Sequence, residues 1–190
     1  MATNAARRRV RDPARTREAI AEALLDLLED GGRVPTAESI AARAGVSRRS
    51  VFAHFADLDE LYVVSSRLQI ERLHAASTTI DAQLPFAERV EAFVAQRERV
   101  YQTMTPVRRM ALAAAPASPV LAESIDRADA WLREQLAEAF APELAGGAPG
   151  LLDEVDAAVS WAAWYHLRRL GQAEARRCLR HLLEVLLTAT

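Results

Sequence analysis

Residues 36–55 read TAESIAARAGVSRRSVFAHF, and this stretch decides the fold. Thr36 is a good N-cap for a short helix running to about Arg43. Ala44-Gly45-Val46 follows as a tight turn, and Gly45 can take the left-handed backbone angles that a sharp helix exit needs. Ser47 then caps a second short helix, to about Ala53. Ala41 and Ala44 are small enough to let the two helices approach closely. Ile40, Val46 and Val51 are spaced to meet between them. Two short helices around a glycine turn describe a helix-turn-helix. The remaining positions of the second helix, Arg48, Arg49, Ser50, Ala53 and His54, face outward. Two adjacent arginines, a hydroxyl and an imidazole suit a major groove, although a pair of arginines is also ordinary solvated surface.

Outward from this motif nearly every segment reads as helix. Apolar residues recur at helical spacing, while alternating or β-branched runs are rare. Asp12-Pro13 is a helix start, with Asp12 as N-cap and proline at the first helical position. That helix runs to about Asp30 with Ile20, Ala23, Leu24, Leu27 and Leu28 on its apolar face, and Gly31-Gly32 stops it. Asp57 begins a longer helix towards His74. Beyond Pro85, helices are expected at roughly 86–103, 107–115, 119–140, 150–170 and 172–188, with Pro106, Pro116, Pro119, Pro142, Gly146-Gly147, Pro149-Gly150 and Gly171 in the breaks. The fold class is therefore all-α. Three divisions are expected: a disordered basic arm over 1–12, a helix-turn-helix domain over 13–57, and a helical body over 58–190.

Composition limits the function. All 24 basic residues are arginine. Residues 1–55 hold 10 of them against 7 acids, and residues 56–190 hold 14 against 19. A basic head on an acidic body suits contact with a polyanion at one end. Arg7, Arg8, Arg9 and Arg11 could enter a minor groove or remain a solvated tail. No stretch of ~18 apolar residues exists to span a membrane. No apolar run follows Arg7–Arg11, so a secretory leader is not expected. Cys178 is the single cysteine, which fits a reducing cytoplasm and leaves no thiolate-rich metal site. The four histidines are scattered, and the chain carries no Gly-rich phosphate loop or nucleophile elbow. Neither enzyme chemistry, a metal nor a cofactor is expected.

Three segments in order and spacing, TREAIAEALLDLLEDGG, TAESIAARAGVSRRSVFAHF and ADLDELY, resemble the N-terminal domain of TetR-family regulators. The resemblance covers about residues 15–62, roughly a quarter of the chain. It implies a DNA-binding regulator, more often a repressor, that works as a homodimer on a pseudopalindromic double-stranded operator. By position it implies that Arg48 and Arg49 reach base edges, that Thr36 and Ser50 bond phosphates, and that Ser47 completes the set as helix cap. Phe52 would pack on the sugar-phosphate backbone or a thymine methyl, and His54 would lie near a phosphate. The chain departs from the family at three places. Arg49 stands where glycine is common, Phe52 where tyrosine is usual, and Leu58 where a lysine is common.

For the body the resemblance implies a partner-facing helix pair and a ligand cavity. The last two helices are apolar over a wide face, and Leu151, Val155, Val159, Ala162, Leu179, Leu182 and Leu186 are the expected dimer residues. Phe93, Tyr101, Met104, Met110, Trp131, Trp164 and His166 are the candidates to line a site for a small apolar or amphipathic ligand, although each also reads as ordinary core. A ligand would then shift the body to a state whose recognition helices no longer match the groove spacing. Two alternatives keep the fold: a constitutive DNA-binding factor without inducer, and an adaptor whose helix-turn-helix binds protein.

Overall fold

The computed structural model describes residues 12–30 and 35–188. The basic arm to Arg11 and the Gly31-Gly32 stop lie outside these residues. The described chain is all helix: α1 Pro13–Glu29, α2 Ala37–Ala44, α3 Arg48–His54, α4 Leu58–Ala76, α5 Phe86–Ala114, α6 Pro119–Ala139, α7 Ala141–Gly146, α8 Leu151–Ala158, α9 Trp161–Leu167 and α10 Gln172–Thr188. Single 3-10 turns occupy Ala115–Ala117 and Arg168–Leu170. Contacts divide the chain into two compact units, residues 1–68 and 69–190, so the division falls inside α4.

The first unit forms around α1. Asp12 accepts the Ala14 N–H at 3.0 Å ahead of Pro13, as the dipeptide predicts. Ile20, Ala21, Ala23, Leu24 and Leu25 are its buried residues, while Leu27 and Leu28 are only half-buried. Helices α2 and α3 pack on α1, and Ile40 and Ala41 of α2, Val51 of α3, Phe55, and Leu61 and Leu68 of α4 are buried as well. The Ser65 hydroxyl donates to the Ala21 carbonyl at 3.4 Å. The first half of α4 is thus part of the head's own core, which is why the unit extends past residue 57.

The second unit is built on α5, and here sequence expectation and structure differ. Pro106 was expected to separate two helices, yet α5 runs unbroken for 29 residues. Proline removes one backbone donor and crowds the preceding turn. Polar side chains act on carbonyls of that turn: the Gln69 amide donates to the Thr103 carbonyl at 3.0 Å and the Thr105 hydroxyl to the Tyr101 carbonyl at 2.5 Å. Tyr101, Met104 and Ala111, on both sides of the proline, are buried on one face. Packing on both flanks holds the helix together where local propensity would end it.

The opposite happens over 150–170, expected as one helix. It breaks at Val159-Ser160 into α8 and α9. Ser160 accepts the Ala163 N–H at 3.2 Å and so caps α9. The short α7, at a place read as a break, was not expected. Its Glu143 pairs with Arg89, whose side chain is only 4% exposed. Arg89 also donates to the carbonyls of Leu84 and Ala139, both at 2.9 Å. The core of this unit joins Val90, Phe93, Val100 and Tyr101 to Leu132, Leu136, Phe140, Val155, Trp164, Leu179, Leu183 and Leu187.

Candidate nucleic-acid interface

The α2–turn–α3 segment is set by local capping. The Thr36 hydroxyl accepts the Ser39 N–H at 3.2 Å and the Ser39 hydroxyl accepts the Thr36 N–H at 2.9 Å, a reciprocal capping box. Gly45 exits α2 at φ 65° and ψ 33°. The Val46 N–H reaches the Ala41 carbonyl at 3.0 Å and the Gly45 N–H reaches that of Ala42 at 3.3 Å, the two bonds of a Schellman turn. Ser47 accepts the Ser50 N–H at 3.1 Å and starts α3.

The far end of α3 is held by a contact that the motif does not reveal. Arg17 of α1 lies over the Phe55 ring, 4.4 Å from its centroid. It donates to the His54 carbonyl and, at 2.5 Å, to Glu60 of α4. Glu60 also accepts the Ala56 N–H at 2.7 Å. The Ala56 N–H, then Arg17, hold the Glu60 carboxyl below the usual carboxylate range. One guanidinium therefore joins α1 to the end of α3 and the start of α4. Only the Asp-x-x-Glu spacing of Asp57 and Glu60 hinted at it, and the partner lies 43 residues away.

With its ends fixed, α3 presents a defined outer face. Arg48 and Arg49 are exposed, and the Arg48 guanidinium stands 5.6 Å from the centroid of Phe52, which is 48% exposed. Thr36 and Ser47 are exposed; Ser50 and His54 are half-buried. The capping hydroxyls of Thr36 and Ser47 accept backbone N–H groups through oxygen, so Ser47 keeps its proton for donation outward. Phe55 is core, at 2% exposure. Arg43 is committed to Asp30 and Asp26, and Arg17 to Glu60. Among the described residues neither Arg48 nor Arg49 has an ion-pair partner. The unmatched positive charge of α3 thus sits beside an exposed aromatic ring, which is the chemistry that phosphates and base edges recognise.

The body residues singled out from the sequence fall into separate groups. Phe93, Tyr101, Met104 and Trp164 belong to one packed core, with Phe93 against Phe140 at 5.2 Å and Tyr101 against Trp164 at 5.6 Å between ring centroids. Met110 and Trp131 are half-buried, and His166 is exposed. Of the expected dimer residues, Leu151, Val155, Val159 and Leu179 are buried in the chain's own core. Ala162 is exposed, and Leu182 and Leu186 are half-buried beside Val185, itself 49% exposed. The wide apolar face of α10 therefore splits into an inner stripe and an outer one.

No family model matches this chain, and no curated protein matches it in sequence. Solved structures do match it. A transcriptional regulator from Rhodococcus sp. Rha1 superposes with a TM-score of 0.69 at 20% identity, over 91% of this chain and 96% of its own. A candidate TetR-family transcriptional regulator from Mesorhizobium loti MAFF303099 gives 0.68 at 17% identity, over 93% and 97%. A further candidate TetR-family regulator, from Rhodococcus sp., gives 0.65 at 19% identity, over 92% and 100%. The likeness spans nearly the whole of both partners in each case, so this chain has the fold of these regulators, from the helix-turn-helix through the helical body.

Proposed function

We propose that the chain is a sequence-specific DNA-binding transcription regulator of the TetR type. The observation that carries this reading is α3, whose Arg48 and Arg49, without an ion-pair partner among the described residues, and exposed Phe52 stand on a helix fixed at both ends. The likeness to solved transcriptional regulators supports it. Arg48 and Arg49 read base edges in the major groove; Thr36, Ser47, Ser50 and His54 bond phosphates; Phe52 packs on backbone or a thymine methyl. The protein acts as a homodimer through the outer stripe of α10, Leu182 and Leu186, with Ala162 of α9. Twofold symmetry then demands a pseudopalindrome with half-sites one or more helical turns apart. Repression, relieved when a small molecule shifts the body, is the proposed mode.

Selection of bound sequences from a random duplex library tests this directly. Enrichment of a pseudopalindrome, with affinity falling steeply as salt rises, is the expected result. A library that returns no motif, with weak or salt-insensitive binding, would remove the DNA-binding reading and favour a protein adaptor. A constitutive factor without inducer is the second reading. It is favoured by one observation: Tyr101 and Trp164, both expected to line a ligand site, pack against each other in the core, and Phe93 packs on Phe140.

A further inference from the structure

A groove of about 390 Å³ opens between α5, α9 and the start of α10. That volume lies within the range of small-molecule sites, roughly 300–1,000 Å³. Trp164 supplies an apolar wall, Gln102 and Gln172 supply amides, and Arg168 and Arg169 supply charge. One carboxylate, Glu98, also lines it, but Glu98 accepts from the Arg176 guanidinium and its charge is matched. Among the described residues neither Arg168 nor Arg169 has an ion-pair partner. The groove therefore carries a net positive lining.

Arg168 is also held in place. Its guanidinium lies 3.9 Å from the centroid of the Tyr165 ring. Tyr165 stacks on Trp161 at 4.7 Å and an interplanar angle of 26°, and Trp161 carries Arg108 on its ring at 5.2 Å. The Trp161 indole is anchored in turn by an N–H bond to the Thr105 hydroxyl at 3.0 Å. A guanidinium held over a ring spends none of its N–H groups on that contact, and its planar fork matches a carboxylate with two parallel bonds. Its position is set before any ligand arrives, so less ordering cost is charged to binding.

We propose that this groove binds a small organic carboxylate, with Arg168 holding the acid group and Trp164 packing on the apolar body. This places the site in a groove lined by Arg168 and Arg169 and gives the ligand an acid group, where the sequence suggests only a small apolar or amphipathic molecule. That the ligand regulates DNA binding rests on the function proposed above; the binding itself does not.

The test is calorimetric titration of the full chain with benzoate and octanoate, each compared with its neutral counterpart, benzyl alcohol and 1-octanol. Arg168→Gln, Tyr165→Leu and the distant charge control Arg127→Gln are titrated alongside. The proposal expects saturable binding of a carboxylate in preference to its alcohol. It expects a loss of at least about tenfold in Arg168→Gln, a smaller loss in Tyr165→Leu, and no loss in Arg127→Gln. Carboxylates that bind no better than the alcohols, or not at all, would overturn it. So would equal losses in Arg168→Gln and Arg127→Gln. A carboxylate that binds through Arg168 yet leaves operator affinity unchanged would keep the groove and remove the sensor reading.

Discussion

The Tyr101 hydroxyl donates to the Val159 carbonyl at 2.7 Å, at the point where α8 ends and α9 begins. A helix that breaks in a core strands carbonyl groups away from water, and each unmet one is costly. Tyr101 meets this one from the middle of α5, and both residues are buried, at 2% exposure each.

Removing that hydroxyl should be expensive. Tyr101→Phe is expected to destabilise the protein by about 1–3 kcal/mol, because the Val159 carbonyl keeps its burial and loses its partner. Chemical denaturation of the two proteins at neutral pH measures it. The same contact has an alkaline signature. Burial pushes the Tyr101 phenol up to about 12 from an ordinary 10.0. The unfolded phenol ionises first, so this stabilisation is full below pH 10 and disappears as pH rises towards 12. The stability gap between wild type and Tyr101→Phe should close across that window, and a gap independent of pH would contradict it.

Arg89 and Glu143 predict an acid limb. Arg89 is 4% exposed and bonds Glu143 through both terminal nitrogens, at 2.7 and 2.5 Å. The Arg89 bond, opposed by desolvation, holds the Glu143 carboxyl below its ordinary range. Its stabilisation is full above the unfolded value, about 4.3, and is lost as pH falls through the folded one. Glu143→Ala leaves a buried guanidinium with carbonyl partners only and should cost about 3 kcal/mol at pH 7. The difference from wild type should shrink below pH 4 in urea-midpoint measurements.

Gly45 predicts a purely conformational penalty. A Cβ there meets nothing within 4 Å, but φ is +65°. Gly45→Ala should cost about 1–2 kcal/mol through left-handed strain alone. Thermal unfolding should show that loss with the helical content of the folded state unchanged.

The outer stripe of α10 predicts the oligomeric state. Leu182→Arg places charge on a half-buried position outside the monomer's core. If the chain pairs through this stripe as proposed, sedimentation equilibrium should show a dimer for the wild type and a folded monomer for Leu182→Arg. An unchanged dimer would move the interface elsewhere.

The head was legible because its boundaries are local. Asp12, Thr36, Gly45 and Ser47 each act on backbone within five residues, so capping chemistry locates α1, α2 and α3 without reference to the rest of the chain. The body was less so because distant partners decide it. Pro106 stays inside α5 where Tyr101, Met104 and Ala111 are buried on both sides of it, and Val159 ends α8 where Tyr101 can reach its carbonyl. The leucines of α10 show a wide apolar face but not its division, since periodicity alone does not show that Leu179, Leu183 and Leu187 are buried while Leu182 and Leu186 stay half-buried, Leu186 at the edge of the core. Arg17 was overlooked for the same reason: its importance comes from the end of α3 and from Glu60, and neither is near it in sequence.

The central claim is that α3 reads bases, and the most direct measurement is a position-by-position affinity profile of Arg49→Ala against the selected duplex. If Arg49 contacts a base edge, discrimination should fall by about 1–3 kcal/mol at one position in each half-site, symmetrically, with the other positions retained. A uniform loss across all sequences would make Arg49 a phosphate contact, and no loss at all would contradict the assignment of α3 to the major groove.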